Sequence, residues 1–270
     1  MSIILISSDD RETEAIIAEK VAQEKGYERL DRRFLNDVAA RNDLNLDKLK
    51  DALTSTPTVL KKLAARQWRQ SLACIEAEVL NRLLADNMVC CGLGAHLYVT
   101  GISHAMKIRV QSGKEKKIAD IAEQNAVSFE KAAKWAAKEL ENQKKWSLTA
   151  FNADETDLSR YDMVINLDQI DPVEAVRTIT GASEYRKFQV MTYSMKCLND
   201  LALAARVNVE LLKSMSDVNV QARDGAVIVY VRTLRRQKRK TVETIKELAG
   251  RVNGVSYVEV HVNKSLKEND

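Results

Sequence analysis

Apolar residues in the first two thirds of this 270-residue chain alternate between short runs and helical spacing. Residues 3–6 form an apolar run that ends in Ser7-Ser8-Asp9-Asp10, and Ile16, Ile17, Val21 and Ala22 then recur at helical spacing down to Gly26. The pattern predicts strand, tight loop and helix. A short strand over 27–31 follows, then a helix over 32–40 that Asp31 can cap, and a weak helix over 45–53. Val59, Leu60, Leu63, Trp68, Leu72, Ile75, Val79, Leu80 and Leu83 predict one long helix over 58–85, with Trp68 as packing. Met88-Val89-Cys90-Cys91 is a buried strand leading into the turn Gly92-Leu93-Gly94-Ala95-His96. Further strands are expected at 104–110 and 163–166, and helices at 118–125, from Ser128 past Leu140, and at 173–179 behind Pro172. Such alternation argues an α/β fold with a parallel sheet covered on both sides. Ligand sites then gather at the C-terminal strand ends: 7–11, 31–33, 92–96, 111–114 and 166–168.

The period changes beyond Gly181-Ala182-Ser183. A helix is expected over 184–213, then alternation at Val218, Val220 and Ala222, an Asp224-Gly225 turn, and resumed alternation at Val227, Val229 and Val231, a hairpin signal. A basic stretch leads into a helix over 242–249 and a strand over 255–262. The expected organisation is an α/β domain over 1–182, a small α+β domain over 183–263 and a frayed tail over 264–270.

Hydrophobic residues at 45% and charged residues at 30% exclude a disordered or membrane-spanning chain. Residues 1–7 lack the pattern of a secretory signal, and the expectation is a cytoplasmic protein without a transmembrane segment. Cys74, Cys90, Cys91 and Cys197 have neither disulfide-framework nor metal-ligand spacing and are read as reduced and mostly buried; no metal site is expected. His96, His104 and His261 likewise have no metal-ligand spacing with a cysteine. The formal charge of +4 is mild, but its distribution favours the C-terminal part.

The loop at 7–13 lacks what a phosphate cradle needs. No glycine precedes Gly26, Arg11 is the loop's lone cation, and Asp9, Asp10, Glu12 and Glu14 set carboxylates where phosphate oxygens would lie. Asp9 and Asp10 suit magnesium as adjacent carboxylates, although solvated loop acids are the commoner arrangement.

The N-terminal part resembles the cytidylate-kinase-like family of bacterial P-loop proteins. The residues that carry the resemblance are 4–7, Ala18-Glu19-Lys20-Val21-Ala22, Gly26-Tyr27, Asp31-Arg32, Gly92-Leu93-Gly94-Ala95-His96, Tyr161-Asp162-Met163-Val164-Ile165-Asn166 and Asp171-Pro172-Val173-Glu174-Ala175-Val176. The resemblance implies a P-loop kinase-like sheet, and ATP with magnesium as ligands if the chain is active. Its phosphate-loop segment falls on Ser7, Ser8, Asp9, Asp10, Arg11 and Thr13, without the family's glycines and lysine. Asp31, Arg32, Gly92, Gly94 and His96 survive as ligand-binding candidates. In the lid near 113–146, Lys117, Lys144 and Lys145 stand where the family has arginines, and lysine cannot reproduce a bidentate guanidinium fork. Residues 196–262 look like a BON domain, on Gly225, Gly254-Val255 and Tyr257-Val258.

These observations lead to the expectation of a catalytically degenerate kinase-like protein that acts as a regulatory or scaffolding module. A protein partner or self-association ranks first, and a small anion or nucleotide is the alternative ligand. An active nucleoside monophosphate kinase is the rival reading. The cations Arg232, Arg235, Arg236, Lys238, Arg239 and Lys240 form a third candidate surface, for a partner or for phosphates; nucleic acid ranks lower because the stretch has no interleaved aromatics to stack on bases.

Overall fold

A computed structural model describes residues 2–57, 62–216, 218–233 and 235–264. In chain order its elements are β1 (Ile3–Ser8), α1 (Arg11–Lys25), β2 (Glu28–Leu30), α2 (Leu35–Asn42), α3 (Leu46–Ala52), α4 (Lys62–Leu83), β3 (Met88–Cys91), α5 (Ala95–Tyr98), β4 (Ala105–Gln111), α6 (Lys114–Gln124), α7 (Phe129–Phe151), β5 (Met163–Asn166) and α8 (Pro172–Ala182). Then come α9 (Thr192–Leu212), β6 (Val218–Arg223), β7 (Ala226–Thr233), α10 (Lys238–Gly250) and β8 (Tyr257–Lys264). The chain divides into two compact units, Met1–Thr56 with Ala85–Met191, and Pro57–Leu84 with Thr192–Asp270.

The first unit holds a five-stranded sheet in the order β2-β3-β1-β4-β5, parallel throughout. It is the expected α/β sheet surrounded by helices. Every residue of β1 is buried, as in a strand covered on both faces. Ile4 and Ile6 of β1, Val89 of β3 and Ile108 of β4 pack with Ile17 and Val21 of α1 and with Val176 and Ile179 of α8. Asp10 caps α1 by accepting the Thr13 N–H, and Gly26 ends it at φ 64°, a left-handed conformation that glycine adopts without steric cost. Asp171 caps α8 with Pro172 in its first turn, and the Ser128 hydroxyl accepts the Lys131 N–H to start α7. Crossing from β1 to the two neighbours β3 and β4 reverses the direction in which the sheet grows, so the C-terminal ends of β1, β3 and β4 open into crevices.

The second unit contains a three-stranded sheet, β6-β7-β8, with β6 antiparallel and β8 parallel to the central β7. Val227, Val229 and Val231 alternate inward from β7 and bury against Leu203, Val207 and Leu211 of α9 and Ile245 and Ala249 of α10. Asp224 and Gly225 both have positive φ, 55° and 81°, the conformation a two-residue hairpin turn requires. Arg66, Arg69 and Gln70 of α4 donate to the carbonyls of Lys213, Ser216 and Leu212, so α4 satisfies acceptors at and just beyond the C-terminal end of α9.

Several expectations are corrected. The helix expected over 184–213 begins only at Thr192: Phe188 is drawn into the core of the first unit, and residues 186–188 make a 3-10 turn instead. The helix expected over 32–40 opens as a 3-10 turn at 32–34 before α2, and that expected from 242 already starts at Lys238. The four-residue α5 is too short to leave a periodic signal. The start of the long helix over 58–61 lies outside the described residues; its remainder, α4, belongs to the second unit. Leu63, one of the apolar positions that predict this helix, is 70% exposed. Cys74, Cys90 and Cys91 are buried free thiols, and Cys197 is a half-buried one.

Candidate functional site

Two cavities open at the C-terminal end of the first unit's sheet. The smaller, about 70 Å³, lies beyond β1, β2 and β3. Its lining includes Ser7, Ser8, Arg11, Glu14, Arg32, Gly92, Gly94, His96, Trp146 and Glu155. Gly92 and Gly94 take φ of 69° and 73°, and a Cβ on them would meet the Arg32 side chain at 3.3 Å and the Trp146 ring at 3.3 Å, so both glycines permit close approach. Arg32 Nε donates to the Gly92 carbonyl at 3.0 Å, while the Gly92 N–H donates to Glu14 Oε1 at 3.2 Å. Trp146 is fixed by its Nε1–H, which donates to the Ala52 carbonyl at 2.8 Å.

Beneath this cavity the polar groups are buried. Arg109, 3% exposed, donates to the Ser7 hydroxyl at 2.7 Å. Burial pushes the Glu14 carboxyl up to about 7, against the opposing Gly92 hydrogen bond and the charges of Arg32 and Arg109. His96 Nε2 lies 3.5 Å from Glu155 Oε2, and the imidazole stacks on Tyr161 at 5.8 Å. Burial holds His96 below its ordinary value despite the acid beside it, leaving a neutral ring at pH 7.

The larger cavity, about 750 Å³, lies beyond β1, β4 and β5, in the size range of small-molecule sites. Among the described residues Asp9, Asp10, Glu12, Asp120, Glu139 and Asp168 line it against Arg11, Lys116 and Lys117 as cations. Asp168 lies so close to Gly113 that a Cβ there would sit 1.7 Å from its Oδ1.

The loop between β1 and α1 satisfies itself. Asp10 accepts the Thr13 N–H at 2.9 Å, and the Ser8 hydroxyl accepts the Asp10 N–H at 3.1 Å. Partial burial alone would raise the Asp10 carboxyl, but hydrogen bonds from Thr13 and Glu12 and the charge of Lys117 hold it below its ordinary value. Asp9 accepts from both the N–H and the hydroxyl of Ser112, at 3.2 and 3.3 Å. Lys117 Nζ donates to the Asp9 carbonyl at 2.5 Å and lies 3.7 Å from its carboxylate. A chain carboxylate thus occupies the helix N-terminus where a phosphate would bind. Magnesium is poorly served as well: an ammonium already sits beside Asp9, and no group of three or more metal-ligating side chains is arranged for a metal ion among the described residues.

The other sequence candidates divide. Arg32, Gly92, Gly94 and His96 meet at the small cavity, and Lys117 lines the large one. Asp31 lines neither: its carboxylate takes the Arg33 N–H and pairs with Arg29 at 2.8 Å and Arg33 at 3.0 Å. Lys144 pairs with Asp154 at 2.8 Å and Lys145 is exposed, so neither lysine lines either cavity. In the second unit Arg232 and Lys240 face a common pocket, Arg236 and Lys238 are exposed, and Arg239 pairs with Glu243 at 2.9 Å; the side chain of Arg235 lies outside the described residues. His104 is fully buried, and His261 lies within β8, 2.8 Å from Glu259.

Sequence reasoning missed Glu14, Trp146 and Glu155 as neighbours at one cavity. Glu14 did leave a signal, since it falls on the same helical stripe as Ile17, Ala18 and Val21, where an acid is out of place. Glu155 follows α7 in an irregular segment and left none.

No helix among the described residues is long and apolar enough to cross a membrane. No curated protein matches the chain. Among solved structures the chain is similar to an uncharacterized protein from Eubacterium ventriosum ATCC 27560, at 15% identity and a TM-score of 0.49, over 69% of this chain and all of that one. Residues 13–169 match the cytidylate kinase-like family, and this match ends before residues 196–262, so the BON-like domain expected there receives no support from it. The matched stretch is more than half of the chain and spans β2 to β5 of the parallel sheet together with most of both cavities' lining, the loop between β1 and α1 excepted, and the chain accordingly belongs to the cytidylate kinase-like family.

Proposed function

We propose that the first unit is a kinase-like module that has given up phosphoryl transfer and serves as a regulatory or scaffolding element through ligand or protein binding. The observation that carries this reading is the self-satisfied loop: Asp10 takes the N–H that an ATP phosphate would need, and Asp9 holds Lys117. Phosphoryl transfer rests almost wholly on positioning and charge stabilisation, and a cavity lined, among the described residues, by six acids and three cations opposes a polyphosphate on both counts. The rival reading of an active kinase leans on Lys117, Lys144 and Lys145, two of which are engaged by Asp9 and Asp154. A small oxyanion at Arg11 and Arg32 is the ligand best matched to the smaller cavity.

Isothermal titration of the full chain with ATP and with CMP, each with and without magnesium, tests the reading alongside a γ-phosphate transfer assay. The expected result is no phosphorylated CMP and no ATP binding in the micromolar range. Magnesium-dependent transfer to CMP would overturn it.

A further inference from the structure

The basic stretch from Arg232 to Lys240 contains no aromatic residue, yet the fold brings aromatics to it. Val227, Val229 and Val231 point into the core of the second unit, so Ile228, Tyr230 and Arg232 of the same strand share the opposite face. Strand pairing completes that face in rows. Tyr230 stands opposite Asn219 of β6 and His261 of β8, Ile228 opposite Gln221 and Glu259, and Ala226 opposite Arg223 and Tyr257. The Tyr230 and His261 rings stack at 5.2 Å with 19° between their planes, and Tyr257 is 61% exposed. Among the described residues the single acid on the face, Glu259, is paired with His261 at 2.8 Å.

Where β7 ends, Arg232 passes from this face to the rim of a pocket of about 390 Å³. Lys240, Gln237 and the hydroxyls of Ser216, Thr233 and Thr241 line it with Arg232, and no acid does so among the described residues. Hydroxyls and an amide beside two cations are donors suited to phosphate oxygens. The charge of the unit agrees. Its two segments hold nineteen Lys and Arg against eleven Asp and Glu, whereas the rest of the chain is net acidic.

We propose that the second unit binds single-stranded nucleic acid, with backbone phosphate at the Arg232 and Lys240 pocket and bases against Tyr230, His261 and Tyr257. Aromatic rings on one sheet face, Tyr230 half-buried and His261 and Tyr257 exposed, beside a cationic pocket are the combination that sequence-tolerant single-strand binding uses. A duplex hides its base faces and leaves the aromatic row without a role.

Fluorescence anisotropy of the full chain with fluorescein-labelled oligo(U) and oligo(dT), and with a duplex of matched length, tests this across a salt series. The expected result is preferential binding of one or both single strands. Arg232→Gln with Lys240→Gln should flatten the log–log salt dependence by about 1.4, two single-strand phosphates' worth. Tyr230→Ala should weaken binding about tenfold without changing that slope. Tyr257→Ala, at an exposed position, carries the stacking test if the Tyr230 variant fails to fold. Absence of single-strand binding at low salt overturns the proposal. So does binding that ignores the Arg232 and Lys240 substitutions, or duplex binding as tight as single-strand binding with both tyrosine variants unaffected. Co-sedimentation with phosphatidylserine vesicles without oligonucleotide binding would assign the surface to lipid headgroups instead.

Discussion

At the scale of single residues, the most consequential group is Glu14. Its carboxyl is buried beneath the small cavity and titrates near 7 rather than in the usual carboxylate range, because the charged form is desolvated. The folded chain therefore holds this proton more tightly than the unfolded chain does. The contribution favours folding most below pH 4.5 and fades as pH rises toward and past 7, by roughly 3 kcal/mol in all. Glu14→Gln keeps an acceptor for the Gly92 N–H and removes the titration. The variant is expected to gain stability over the parent at pH 8 and to lose that advantage at pH 5, read by urea unfolding at each pH. An identical pH slope in both proteins would show that Glu14 is solvated. The same residue marks where reading the sequence stopped. The strand-end candidates Ser7, Arg32, Gly92 and His96 were legible because they punctuate apolar runs, but Glu14 and Glu155 become neighbours of His96 and Arg32 only when β1, β3 and the segment after α7 converge.

At the scale of elements, local chemistry and tertiary pairing contribute differently. The strand-loop-helix opening, the β3 strand and the Asp171-Pro172 start of α8 were all legible, since each carries its own signal in period or cap. The β6–β7 hairpin is the strongest case, because two consecutive positive φ angles demand Asp-Gly or a similar pair. Gly225→Ala tests that dependence. At φ 81° its Cβ would lie 3.0 Å from the Ser256 hydroxyl and 3.1 Å from the Gly254 carbonyl. The expected cost is about 1–2 kcal/mol, seen as a lowered urea midpoint with an unchanged slope. Unchanged stability would mean that the turn relaxes at little cost. What no period reveals is which sheet a helix serves: α4 has an ordinary apolar stripe, and its partner α9 lies more than a hundred residues away, about the length of a small domain. The start of α9 was hidden for a related reason, since Phe188 has the residue type of either core.

At the scale of the whole molecule, the chain builds its second unit from two separated segments. The carbonyls at and beyond the end of α9 depend on Arg66, Arg69 and Gln70 of α4. A fragment of residues 192–270 is thus expected to melt broadly and to bind a hydrophobic dye, and covalent addition of residues 57–84 should restore a cooperative transition. Cooperative melting of the shorter fragment by itself would contradict the interleaved unit. The same interleaving has a consequence for synthesis. On the ribosome α4 emerges long before the helix that covers it, so its apolar stripe must wait uncovered while the parallel sheet is being assembled. Chains interrupted between α8 and α9 carry a finished α/β sheet and an orphaned helix, a ready signal by which chaperones and proteases can tell an incomplete product from a complete one.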